Sequence, residues 1–174
     1  MVIKNRSVYL TGEINFESVN RIIQDINFLI KDNASEIIEL YISSIGGSIM
    51  AAFSLHDFIK ICGAPIATIG MGEVSSAALA VWLAATKGRP KATKNTFFVM
   101  HETSRTQNGS YKTSEIDTLA THQHIREKRL FEIMAGATKI SLRKIEKAAL
   151  ADTLLDVESA IKFGLLRRQD IISF

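Results

Sequence analysis

Residues 36–63 read EIIELYISSIGGSIMAAFSLHDFIKICG. The first part is a β-rich run that stops at Gly46-Gly47. The second repeats apolar residues at helical spacing until Gly63 ends it. The same order recurs on both sides. RSVYLTGEI (6–14) reads as a strand and NFESVNRIIQDINFLIKD (15–32) as an amphipathic helix. APIATIG (64–70) reads as a short buried strand closed by Gly70 and Gly72, with a helix expected over 75–88. NTFFVMHE (95–102) is a third Phe- and Val-rich strand. Strands separated by helices predict an α/β fold with parallel pairing and right-handed crossovers.

Bulk properties narrow the function. A chain of 174 residues, 47% hydrophobic and 22% charged, suits one domain with a real core. Its formal charge of +3 is small. The basic run KGRPKATK (87–94) holds Gly88 and Pro90 and no aromatic platform, so it reads as a solvated loop, and no nucleic acid is expected as a partner. Cys62 is the only cysteine, which excludes an internal disulfide and any CxxC metal or redox site and fits a reducing, cytoplasmic setting. No apolar stretch approaches the roughly 18 residues that cross a bilayer, and no export signal is evident, so no membrane association is expected. No cofactor and no metal are expected.

In a parallel sheet the loops that follow successive strands gather at one edge. Gly46-Gly47, Ser75-Ser76 and His101 all fall at such strand ends. Each has an ordinary explanation: the glycines turn the chain, a serine caps a helix, and a histidine ends a strand. Together they suggest a nucleophile, a base and a bare backbone N–H, that of Gly47, facing one cleft. Ser75 is expected to cap the helix while Ser76 attacks. Serine needs a nearby imidazole to take its proton. His56 lies inside a helix, and His122 and His124 sit on different faces of a long polar one, which leaves His101. Asp117, Asp152, Asp156 and Asp170 are all candidates to orient the ring. Asp156 is better explained as the cap of the helix VESAIKF that ends at Gly164. Asp152 lies in the short connection before it, and periodicity leaves the choice open.

The succession LYISSIGGSIMAAFSLHDFIK, IATIGMGEVSSAALAVWLAATKGRP, FVMHE and ADTLLDVESAIKFGLL resembles the caseinolytic protease proteolytic subunit (ClpP) family over about residues 6–166. The resemblance implies an α/β spiral of β-β-α units of the ClpP/crotonase type with a projecting helical handle. It implies a serine endopeptidase with Ser76 as nucleophile, His101 as base and Asp152 as its orienter. The oxyanion donors would be the N–H groups of Gly47 and Ala77, and the backbone around Ile49 would pair with an extended peptide substrate. Ser75 stands where the family usually has alanine, Ala77-Ala78 where it has methionine and glycine, and Ala151 where it has arginine.

RTQNGSYKT reads as a polar loop, and SEIDTLATHQHIREKRLFEIM as a helix only half apolar, of the kind that buries its stripe against a partner. By the resemblance, residues 105–137 are the handle inserted in a head made of 1–104 and 138–174, all within one domain. Identical subunits would form stacked rings, with heptamers paired in a tetradecamer, and peptides or unfolded proteins would be cut inside. The chain begins almost at its first strand, so an AAA+ unfoldase partner, which relatives contact through an additional N-terminal segment, is less strongly expected. Three other readings compete: a non-catalytic ring or scaffold subunit, a crotonase-type enzyme acting on an acyl thioester, and a serine-lysine peptidase. The last would need an activating lysine at the cleft, whereas Lys87 and Lys94 are expected at the wrong end of the sheet.

Overall fold

The computed structural model describes residues 6–102 and 112–173. The first seven elements are β1 (Ser7–Ile14), α1 (Phe16–Asp32), β2 (Ile38–Gly47), α2 (Ile49–Ile61), β3 (Ile66–Ser75), α3 (Ala78–Trp82) and β4 (Lys91–Thr93). There follow β5 (Phe97–Met100), α4 (Thr113–Thr138), α5 (Leu142–Leu150), β6 (Thr153–Leu155), α6 (Val157–Phe163), a 3-10 turn at Arg168–Asp170 and β7 (Ile171–Ile172). The strands form one sheet in the order β1-β2-β3-β4-β7, with β5 joined to the far part of β3 and β6 to β5.

The helices start where the sequence supplies caps. Asn15 accepts from the Ser18 N–H at 2.8 Å while Ser18 Oγ accepts from the Asn15 N–H at 3.0 Å, a reciprocal box that opens α1. Ser48 opens α2, and Asp156 opens α6, accepting from the Ser159 N–H at 2.7 Å. The hydrogen bonds that Asp156 receives from Ser159 hold its carboxyl below the usual range. Gly164, at φ +98, ends α6. The caps read from the sequence at Asp156 and Gly164 are therefore present. At the other end of α1, the buried Arg6 donates to the carbonyls of Leu29 and Asn33.

The core lies between the sheet and α1, α2 and α3. Val19, Ile22 and Ile26 of α1 and Leu55 and Ile59 of α2 join one apolar cluster with Leu10 of β1, Ile38, Leu40 and Ile42 of β2, and Ile66 of β3. These strand residues are each 1% exposed or less, as alternation along a strand with one covered face requires. α3 is buried on every side, with Trp82 packed on Phe98 at 4.9 Å between ring centroids.

Four local expectations change. β3 does not stop at Gly70 but runs on through Gly72 (φ +60) to Ser75, exchanging β4 for β5 as its neighbour on the way. The helix expected over 75–88 is regular only at Ala78–Trp82. Beyond it, Trp82 O accepts from Thr68 Oγ1, and the N–H groups of Thr86 and Lys87 both bond Ile66 O, so the chain is tied to the sheet instead of continuing the helix. The basic run 87–94 contains β4, whose Ala92 is buried between Gly70 and Ile171. Finally, β6 is antiparallel to β5, whereas the other pairs are parallel.

α4 buries Leu130, Phe131 and Met134 in its second half, while Ile116 and Ile125 nearer its start are exposed. Residues 105–111 of the expected handle, and with them most of its polar loop, lie outside the described residues. No helix among the described residues is long and apolar enough to cross a membrane.

Candidate active site

The last residue of β3, Ser75, pairs with Val99 of β5, and the next residue donates its own N–H to Val99 O at 3.0 Å. That next residue, Ser76, has φ +54, a left-handed conformation that costs a residue with a Cβ about 1 kcal/mol or more. The strand thus turns into α3 within two residues. Ser76 is 9% exposed, and its carbonyl accepts from the Leu79 N–H.

Ser75 behaves differently from expectation. It remains in the strand, its hydroxyl donates to Glu73 Oε1 at 2.6 Å, and the N-cap of α3 is Ala77, with no side-chain cap. The cap role is therefore absent, because the chain enters the helix later than the serine pair suggests.

The glycine pair meets this turn from β2. A Cβ placed on Gly46 (φ +92) would stand 2.8 Å from Ser75 O and from Ser76 Cβ, and 3.2 Å from Ala77 N. One on Gly47 (φ +140) would strike Ile14 O of β1. Gly46 is thus the residue packed on the Ser76 turn. The Gly-Gly pair signals a close approach, but only the strand register tells which glycine makes it. The Ser48 N–H goes to Ile14 O at 2.7 Å, and Ile49 is the first residue of α2 and is buried.

His101 follows β5, and Asp152 precedes β6. The antiparallel register Val99↔Leu154, Met100↔Thr153, carried one residue further, sets His101 opposite Asp152. Asp152 is itself left-handed, at φ +45. The sheet therefore brings positions 76, 101 and 152 to one edge. Among the described residues no hydrogen bond joins their side chains. His101 Nδ1 instead lies 2.6 Å from Glu102 O. A carbonyl oxygen only accepts, so the ring donates from Nδ1, which in a neutral imidazole leaves Nε2 as the acceptor.

The other candidates are engaged elsewhere. Asp170 is buried beside Arg89, 3.4 Å away, Asp156 caps α6, and Asp117 is exposed on α4. His56 lies 2.9 Å from Asp57, and His124 is 3.9 Å from Glu127. The Lys87 N–H bonds the first residue of β3, at the far end of that strand from Ser76, and Lys94 follows β4, so neither lysine reaches the turn along the sheet. A concavity of about 340 Å³ opens between Glu102, α4 and α5, with Phe131 and Leu150 on its walls. Among the described residues, no three His, Cys, Asp or Glu side chains gather as a metal site.

The family described as Clp protease matches residues 1–171. The chain is 33% identical to the ATP-dependent Clp protease proteolytic subunit 3 of Rhizobium johnstonii, over 95% of this chain and 84% of that one. It is 30% identical to proteolytic subunit 2 of Treponema denticola, covering 95% and 82%, and 29% identical to proteolytic subunit 1 of Rhodopirellula baltica, covering 95% and 72%.

Proposed function

Because the chain belongs to the Clp protease family and is a serine peptidase, we propose that Ser76, His101 and Asp152 form its catalytic triad. The observation that carries the reading is the pair of ladders that meet at β5: Ser76 N–H on Val99 O, and Met100 opposite Thr153. The left-handed turn at Ser76 supports it further, since such strain persists where the surroundings impose it.

In the reaction, Ser76 Oγ attacks the peptide carbonyl while His101 Nε2 takes the hydroxyl proton. The N–H groups of Gly47 and Ala77 stabilise the tetrahedral oxyanion. The C–N bond then breaks, and the imidazolium returns the proton to the leaving amine. Water, deprotonated by the same imidazole, attacks the acyl-serine and releases the acid with the free hydroxyl. Asp152 orients the ring once it turns from Glu102 O toward the carboxylate. The backbone near Ile49 pairs with the extended substrate, and the concavity beside Glu102 receives one of its side chains.

Identical subunits assemble into stacked rings with these sites inside, and residues 105–137 form the handle between rings. The substrates are peptides or unfolded polypeptides, delivered by a Clp-type ATPase that supplies the ATP dependence carried in the relatives' names. The single cysteine supports a cytoplasmic setting. A fluorophosphonate probe tests the assignment. Ser76→Ala is expected to abolish labelling, while Ser75→Ala still takes label. Labelling retained in Ser76→Ala overturns it.

A further inference from the structure

Ser75 follows Val74, a fully buried residue of β3, and is itself only 2% exposed. Its hydroxyl donates to Glu73 Oε1 at 2.6 Å, the length of a charge-assisted O–H···O bond. Its carbonyl lies against Gly46, and its backbone is paired with Val99. The residue held in this way is the one from which the chain departs into the left-handed conformation of Ser76.

We propose that Ser75 and Glu73 are a positioning pair that holds the last residue of β3 so that the Ser76 hydroxyl stays aimed at the substrate. The inference rests on Ser76 being the nucleophile. The Ser75 bond fixes the side-chain rotamer beside the peptide plane that the Ser76 N–H holds on Val99 O, and neither Ser75 nor Glu73 touches the reacting atoms. Without the bond, the strand end relaxes and the hydroxyl samples unproductive directions, which slows attack without weakening substrate binding.

The test uses the full assembled protein, a fluorogenic peptide and a fluorophosphonate. Ser75→Ala should slow both peptide kcat and the labelling rate about tenfold, the order expected for one hydrogen bond to a charged group, with KM unchanged. Ser75→Thr, which keeps the hydroxyl, should restore the rate. Glu73→Ala should match Ser75→Ala, and the double variant should be no slower than either single one. Wild-type rates in Ser75→Ala, additive losses in the double variant, or losses that follow a fall in the unfolding midpoint across the set all overturn the inference. Wild-type protein that takes no label at Ser76 overturns the nucleophile assignment itself, a separate failure.

Discussion

Gly46 lies so close to Ser76 that a Cβ added to the glycine would stand 2.8 Å from the serine's own. The same atom would be 2.8 Å from Ser75 O, a backbone atom that cannot swing away. Gly46→Ala should therefore displace the Ser76 turn, with labelling by a fluorophosphonate falling by at least about 10²-fold, the scale of losing one oxyanion donor. Gly12→Ala is the control: it has similar strain at φ +78 but open space around it, and should cost about 1 kcal/mol with labelling kept.

Asp152 and Asp170 should separate by phenotype. Asp152→Asn is expected to lower kcat by about 10²-fold or more while the unfolding midpoint stays near wild type, because the change alters ring orientation and charge at the site. Asp170→Asn leaves Arg89 without its partner and should lower stability by about 1–2 kcal/mol, with kcat of the folded fraction unchanged. Denaturant titration beside steady-state kinetics distinguishes the two.

The exposed part of α4 gives the third prediction. Ile116 and Ile125 are 47% and 62% exposed, so Ile116→Asp with Ile125→Asp should leave the subunit's own stability within about 0.5 kcal/mol. If that part joins two rings, native mass measurement should show the particle reduced to single rings. An unchanged mass removes the handle role.

Much of this arrangement is legible along the chain. The run of Ile38, Leu40 and Ile42, the helix carrying Leu55 and Ile59, and the strand end before His101 all follow from local apolar spacing, whereas the end of β3 at Ser75, beyond Gly70, does not. What local spacing does not carry is register. β6 is three residues long and antiparallel, which nothing in its composition announces, and its register with β5 ends at Met100↔Thr153, the pair next to His101 and Asp152 in the chain.

By itself, then, the sequence determined an alternation of strands and helices and a family, because apolar periodicity and motif order are written along the chain. Only the tertiary structure decided that Gly46 is the glycine packed on Ser76 and that Ser75 bonds Glu73 instead of capping a helix. Those outcomes depend on backbone dihedrals and on pairings between residues far apart in the chain, which no local pattern encodes.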